Sequence, residues 1–164
     1  MLRRKVERLR AFDGDQWLVV AASLVAVPAI NIAVRRKGFL VTANALAARS
    51  MRPRAADDVA LGQRLAEAVA IVAGRKVIGA ACLSRSLVLW FFLRRRGIDA
   101  EVVIGAEVPH DGVLPAHAWV EVDGVPVNDV PTVRDRYGSF GVALPRLKPV
   151  GDEHFATESD TFTD

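Results

Sequence analysis

Apolar residues in the first half of the chain recur at helical spacing. An uncharged run at 16–34 predicts a long helix with a kink near Pro28, and a shorter apolar segment follows at 39–48. From Val59 onward, apolar side chains recur every three or four residues, which predicts an amphipathic helix that ends near Gly74. The apolar face of that helix comprises Leu61, Leu65, Ala68, Val69 and Val72.

The pattern changes in the second half from helix to strand. Residues 82–97, CLSRSLVLWFFLRRRG, carry apolar residues at helical spacing and end in a basic run and Gly97, as helix C-termini commonly do. Alternating apolar and polar residues then predict a strand at 98–108 and a hairpin at 117–129, HAWVEVDGVPVND. Helices followed by strands favour an α+β fold over a doubly wound sheet.

The run at 16–34 has nearly the roughly 20 apolar residues that span a bilayer. It is interrupted by Gln16, Pro28 and Asn31, basic residues follow it at once, and no signal-peptide cleavage site stands where one would be needed. A helix of the folded domain is the first interpretation of this run, and contact with a membrane is the alternative.

Composition and charge narrow the class of protein. The chain has 164 residues, 51% of them apolar and 25% charged, which fits one globular domain. Basic residues make up five of the first ten and acidic residues five of the last fifteen, and no basic stripe with interleaved aromatics favours nucleic-acid binding. The single cysteine, Cys82, excludes an intramolecular disulfide and fits a reducing, cytoplasmic compartment.

The predicted hairpin at 117–129 has a histidine at one end and an aspartate at the other. A two-residue turn at Asp123 and Gly124 would leave His117 and Asp129 on opposite faces. A three-residue turn with a bulge would put them directly opposite each other, with Cβ atoms about 5 Å apart, which suits a carboxylate that accepts from an imidazole. The sequence permits both registers, so we expect the register to decide whether the pair forms.

Cys82 comes directly at the start of the predicted helix at 82–97. A thiol in the first turn of a helix meets unpaired N–H groups and the positive end of the helix dipole, which favour a thiolate and can stabilise an oxyanion. A histidine can take the thiol proton and return it to a leaving amine, while an aspartate orients the imidazole. Cys82, His117 and Asp129 are therefore candidates for these three roles, although each residue type also has ordinary structural roles.

An ordered set of motifs covers residues 79–140. It comprises Cys-Leu-x-Arg-Ser-Leu at the head of a helix, a basic run with Gly-Ile, a strand ending in Ile-Gly, and His-Ala-Trp-Val-Glu followed by Gly and Asp. This set resembles the transglutaminase-like core of the lasso-peptide biosynthesis B2 proteins, which are leader peptidases. The resemblance implies a cysteine peptidase that cleaves the leader–core bond, with Cys82 as nucleophile, His117 as general base and acid, and Asp129 orienting the imidazole.

The same resemblance implies the organisation of the chain and its partners. We expect an N-terminal helical region at 1–56, a transglutaminase- or papain-like core at 57–149 in which a catalytic helix packs on a small antiparallel sheet, and an acidic, disordered tail at 150–164. The implied partners are the precursor peptide, a small leader-recognition protein of the B1 type and, transiently, the lasso cyclase. No metal site and no cofactor are predicted from the residues; some members of the family are reported to need ATP, for which this chain shows no nucleotide-binding motif.

Two further residues are candidates for contact with the substrate. Arg85 matches the family motif, and Trp119 shares a face of the hairpin with His117, where it either lines the cleft or fills the core. Glu121, on the same face, is expected to be an exposed partner for a basic residue. Two other functions remain as alternatives: acyl transfer to an amine by the same three residues, and a non-catalytic peptide-binding scaffold of the same fold.

Overall fold

The computed structural model describes residues 12–49, 59–73, 82–107 and 116–139. Helices come first in the described chain, and strands joined by turns and a one-turn helix follow, so the predicted α+β class is confirmed. The helices are α1 (Gly14–Lys37), α2 (Phe39–Ala47), α3 (Val59–Ala73) and α4 (Cys82–Arg95), and the later elements are β1 (Ala100–Ala106), β2 (Ala116–Val122), β3 (Val125–Pro126), α5 (Val133–Arg136) and β4 (Gly138–Ser139).

The strands form one antiparallel sheet in the order β3-β2-β1-β4. One face of the sheet, with Val102 and Val120, is buried against the helices. The other face carries a smaller apolar cluster, in which Val103 and Trp119 pack with Val133 of α5. Because successive side chains of a strand point to opposite faces, His117 lies on the face of this smaller cluster.

Helix α1 starts earlier and ends later than the uncharged run at 16–34. It begins with a capping box, in which the Asp13 carboxylate accepts from the Gln16 N–H at 2.8 Å and the Gln16 side chain accepts from the Asp13 N–H. It continues through Pro28, where the sequence predicts a kink, and ends in a basic turn that suits the negative end of the helix dipole.

Helix α1 has two apolar faces. One is buried against α3 and α4 through residues such as Val19 and Val27, whereas the other exposes large side chains such as Leu18 and Val25. With 24 residues and a mean hydropathy of 2.2 over its most apolar window, α1 is long and apolar enough to cross a membrane by length and composition, and 22% of that window is buried.

Most of the apolar face that periodicity predicts for α3 is buried in the core. On α3, Leu65, Ala68, Val69 and Val72 are buried, and Leu61 is half-buried. The predicted end of this helix near Gly74, the domain boundary at 56 and the tail at 150–164 lie outside the described residues. The proposed division of the chain into regions therefore stays a prediction.

Helix α4 is bonded to α1 at both of its ends. Near its start, the Ser84 hydroxyl donates to Oδ1 of Asn31 at 3.1 Å. Just past its last turn, Arg96 donates to both carboxylate oxygens of Asp15, at 2.5 and 3.1 Å. The hydrogen bond from Arg96 lowers the pKa of Asp15, with burial acting in the opposite direction and more weakly.

We predict that Asp15→Asn destabilises the fold at neutral pH and not in strong acid. A carboxyl group whose pKa is lower in the folded state contributes stability above its unfolded pKa of about 3.9, and this contribution is lost as pH falls through the folded value. Because the pair is partly exposed, the expected loss is no more than about 1 kcal/mol. Urea unfolding of wild type and variant at pH 7 and in acid measures it, with the exposed Glu67→Gln as control; a difference that grows towards acid would contradict the assignment.

Candidate active site

Cys82 is the first residue of α4, as the sequence predicts, and its side chain is half-buried. Its position in the first helical turn puts it beside backbone N–H groups that have no partner within the helix. Such groups can stabilise negative charge, either on the sulfur or on an oxygen close to it.

Two hydrogen bonds fix the direction in which α4 crosses strand β2. In its C-terminal half, the Trp90 indole donates to the carbonyl of Ala100 at 2.8 Å, level with the turn end of β2. One helical turn earlier, the Ser86 hydroxyl donates to the carbonyl of Ala118 at 2.9 Å. One more turn back along the helix is Cys82, so the start of α4 points to the end of β2 that carries the candidate histidine.

His117 and Asp129 are in direct contact. Nε2 of His117 lies 2.6 Å from Oδ2 of Asp129, and the other carboxylate oxygen accepts from the Val130 N–H at 2.8 Å. The side chains of the pair are 23% and 22% exposed, so they are shielded but reachable from solvent. The structure brings these two candidates together; between Cys82 and His117 it shows no hydrogen bond.

His117 and Asp129 are in contact although the hairpin has the two-residue turn, for which the sequence predicts that they lie on opposite faces. Val122 pairs with Val125, and both residues of the turn, Asp123 and Gly124, have positive φ angles of 50° and 71°. This is a two-residue turn of the type that Asp-Gly favours. The expectation that such a register would keep the histidine and the aspartate on opposite faces is therefore wrong.

The reason is that strand pairing stops before Asp129. Strand β3 ends at Pro126, and the Val127 N–H makes the last ladder bond, to the carbonyl of Val120 at 2.9 Å. The N–H of Val120 then donates at 2.7 Å to the side chain of Asn128. The chain bends over 127–129 and carries the Asp129 carboxylate to the histidine's face of the sheet.

Two aromatic rings pack beside the imidazole of His117. The centroid of Tyr137 lies 5.0 Å away, and the indole of Trp119 is stacked with a centroid distance of 6.1 Å. Trp119 is fully buried, so the predicted direct contact with substrate is wrong for this residue, and its alternative role in the core is the one observed. Tyr137 was missed, because nothing in its local sequence shows that it folds back onto the hairpin.

A glycine on the neighbouring strand makes room for these rings. Gly105 pairs with His117 across β1 and β2. A Cβ atom at this position would lie 2.9 Å from Cβ of Tyr137 and 3.0 Å from Cη2 of Trp119, closer than carbon atoms can pack. The glycine of the Ile-Gly motif is therefore explained by sterics, because the rings beside the site leave no room for a side chain at this position.

Glu121 is buried rather than exposed, with only 2% of its surface accessible. Its carboxylate accepts from the Trp119 indole at 2.7 Å and from two nitrogens of the Arg134 guanidinium. The hydrogen bond to Glu121 raises the pKa of Arg134 above its usual range. The predicted basic partner is confirmed, but the predicted exposure is wrong, because α5 covers this face of the sheet.

Arg85 lies half-buried at a small open pocket between α3 and α4. The pocket is on the same side of α4 as Cys82, since residues three apart on a helix share a face. The residues that line it are Ala66, Val69, Ala70, Arg85, Leu89 and Asn128. Within the described ranges, no three His, Cys, Asp or Glu side chains converge as a metal site would require.

Comparison with known proteins identifies the family. The model of the transglutaminase-like superfamily matches residues 24–141, more than half of the chain. The chain belongs to the transglutaminase-like superfamily. Within a 55-residue stretch, this transglutaminase-like chain is 42% identical to the microcin J25-processing protein McjB of Escherichia coli. The stretch covers 34% of the chain and only 25% of the length of McjB. No solved structure matches significantly. The superfamily match and the McjB match support the resemblance to B2 proteins drawn from the motifs.

We predict that neutral His117 carries its proton on Nε2, because this nitrogen faces the Asp129 carboxylate, and that Nδ1 keeps a free lone pair. Nitrogen-15 NMR of the imidazole should show the Nε2–H tautomer in the wild type and a mixture in Asp129→Ala. Asp135→Ala, which removes an exposed carboxylate on α5, should leave the spectrum unchanged. A predominant Nδ1–H form in the wild type would contradict the orientation of the pair.

Proposed function

We propose that this transglutaminase-like protein is a cysteine peptidase that removes the leader from a lasso precursor peptide. The observation that carries the proposal is the 2.6 Å contact between His117 and Asp129, at the end of β2 towards which the start of α4 points. The superfamily match and the likeness to a microcin-processing protein support a role in peptide processing.

The geometry suits a mechanism with a nucleophile, a base that later acts as the acid, and a carboxylate that orients it. Asp129 holds Nε2 of His117, so Nδ1 is the nitrogen that takes the proton from the Cys82 thiol. The thiolate attacks the carbonyl carbon of the scissile bond, and N–H groups in the first turn of α4 stabilise the oxyanion. His117 then protonates the leaving amine, and water attacks the thioester to release the leader and regenerate the thiol.

Asp129 stabilises the imidazolium that forms when His117 holds both protons. The Asp129 carboxylate contacts the ring directly and also accepts from the Val130 N–H, so it keeps the ring from rotating. Trp119 and Tyr137 pack beside the ring and restrict it further. Gly105, Trp119 and Tyr137 thus support the proposed base.

Arg85 remains our proposed contact for the substrate. Arg85 lines the small pocket beside α4, on the side of the helix that begins with Cys82. A peptide carbonyl or carboxylate is the chemistry that a guanidinium binds.

The proposed partners follow from the same family resemblance. They are the precursor peptide, a small B1-type recognition protein that presents the leader, and the lasso cyclase as a transient contact. We propose a cytoplasmic location and no bound cofactor, and the cleavage assay below is run with and without ATP.

We predict that Cys82→Ala abolishes release of the leader. The variant should lower the rate by at least about 10³-fold, since it removes the nucleophile. The assay incubates the protein with a lasso precursor peptide and a B1-type recognition protein, and mass spectrometry detects the free leader. His117→Ala should behave similarly, and Ser84→Ala, on the other side of α4, is the control.

Each alternative function has its own outcome in this assay. A product in which the leader-side carbonyl is joined to an amine, instead of a free leader, would indicate acyl transfer. Binding of the precursor without any covalent change, equal in wild type and Cys82→Ala, would indicate a scaffold. Cleavage retained in Cys82→Ala would overturn the peptidase proposal.

We also propose that any membrane contact of the segment 16–34 is made by the outer face of α1 while the helix lies in the membrane plane. The inner face of α1 belongs to the core, so the helix cannot span a bilayer without leaving it. Basic residues follow the apolar face at 35–37, which suits an anionic surface. The large exposed side chains of α1 and α2 are Trp17, Leu18, Leu24, Val25, Ile32, Leu40 and Val41.

Vesicle flotation tests this contact. The wild type should float with vesicles containing phosphatidylglycerol and less with phosphatidylcholine alone, and added salt should reduce the binding. Leu18→Gln with Val25→Gln should weaken it about tenfold or more, because both side chains are largely exposed on the outer face. Val125→Gln, an exposed apolar residue of β3, is the control; equal binding of all variants, or none, would contradict the proposal.

A further inference from the structure

The bend after β3 leaves backbone groups of β2 without strand partners. Alternate residues of a strand direct their backbone groups to the same side, so Val120 and Ala118 both face the side of β3. Strand β3 ends at Pro126 and its last bond is made by Val127. The Val120 N–H and the Ala118 carbonyl would therefore be unpaired if the bend supplied nothing in place of the strand.

Two side chains take the place of the missing strand. The Val120 N–H donates to Oδ1 of Asn128 at 2.7 Å, and the Ala118 carbonyl accepts from the Ser86 hydroxyl at 2.9 Å. The two side chains also bond to each other, since Nδ2 of Asn128 donates to Oγ of Ser86 at 3.3 Å. The direction of these bonds follows from the Asn128 amide. Its oxygen accepts from the Val120 N–H, so its NH₂ group donates to the Ser86 oxygen, and the Ser86 hydroxyl proton is left to donate to the Ala118 carbonyl.

These bonds form a relay from Val120 through Asn128 and Ser86 to Ala118, and its last three members are near neighbours of candidate catalytic residues. Ser86 is one helical turn after Cys82, so their side chains share a face of α4. Ala118 directly follows the base, and Asn128 directly precedes Asp129. The relay thus joins the helix of the nucleophile, the strand of the base and the bend of the carboxylate, and Ser86 is fully buried at its centre.

We propose that Ser86 and Asn128 are positioning residues that hold the three catalytic groups in register. The proposal rests on the proposed function for the identity of those groups. Ser86 is fully buried, and the side-chain amide of Asn128 is bonded to Val120 and Ser86, so both act through the groups that they hold. Ser86 fixes how far the start of α4 extends along β2, and Asn128 fixes where the chain leaves β2, so together they set the approach of the thiol to the His117–Asp129 pair.

The chain contains a matched control for this relay. Ser84, also on α4 and 1% exposed, donates to Oδ1 of Asn31 at 3.1 Å. This second serine–asparagine pair joins α4 to α1 on the other side of the helix, away from the site. Removing either pair costs a buried hydrogen bond, but only the relay is connected to the base and the carboxylate.

The experiment compares the two pairs by three measurements. They are the melting temperature, the rate of alkylation of Cys82 by iodoacetamide at pH 7, and kcat with KM for leader release. Cys82 is the single cysteine of the chain, so alkylation reports on it alone. We expect Ser86→Ala and Asn128→Ala to lower kcat about 10- to 100-fold, with KM changed by less than about threefold, because a displacement of about 1 Å is enough for such a loss.

The control variants Ser84→Ala and Asn31→Ala should lower the melting temperature by a similar amount and leave kcat and alkylation near wild type. Threonine and valine have nearly the same shape, so they separate the effect of the hydroxyl from the effect of packing. Ser86→Thr should keep most of the activity, and Ser86→Val should lose it. In Asn128→Ala, the NMR signal of the His117 Nε2–H should also weaken, since the neighbouring carboxylate is no longer held.

The outcomes distinguish the positioning role from the proposed function. If the relay and control variants have the same kcat, alkylation rate and His117 spectrum, the positioning role is overturned while the peptidase stands. If Cys82 is alkylated at the same rate in wild type and in His117→Ala, and no leader is released, the peptidase proposal is overturned. In that case Ser86 and Asn128 have no catalytic groups to position.

Discussion

The backbone N–H of Val120 is the group on which the geometry of the site depends. If it donated to the carbonyl of Val127, the β2–β3 ladder would continue and Asp129 would lie opposite Ala118, on the face away from His117. It donates instead to the side chain of Asn128. A buried N–H without an acceptor costs about 1–3 kcal/mol, so the bend is stable only because the amide replaces the carbonyl. One exchange of acceptor therefore moves a carboxylate from one face of a sheet to the other.

Much of the framework could be predicted from local pattern. Periodicity located the helix that begins at Cys82, and Asp123-Gly124 gave the turn as one of two alternatives. The His117–Asp129 pair was predicted for a register that does not occur, because the prediction assumed that strand pairing would continue as far as the aspartate. A local signal was present: asparagine readily bonds nearby backbone groups and favours bends. That signal could not show by itself that the Asn128 side chain would accept from the Val120 N–H in place of a carbonyl of β3.

The second apolar cluster was hidden from the sequence for a different reason. Alternation along β2 places His117, Trp119 and Glu121 on one face, and a face with two polar residues is commonly solvated. That face is buried here because α5 folds over it and brings Arg134 to the Glu121 carboxylate. A buried carboxylate is tolerated when charged and hydrogen-bonded partners surround it, as the guanidinium and the Trp119 indole do. Arg134 is thirteen residues after Glu121 and Trp119 is two residues before it, so the three side chains come together only in the folded chain.

Helix α4 packs against the N-terminal helix as well as against the sheet. Helix α4 is held on one side by α1, through Asn31 and Asp15, and on the other by β1 and β2, through Trp90 and Ser86. The superfamily match accordingly begins at residue 24, inside α1, rather than at the start of α4. Because α1 buries one face against α3 and α4 and exposes the other, whatever covers the outer face contacts a helix that is itself hydrogen-bonded to α4. Helix α4 thus connects α1 with the strand that carries His117.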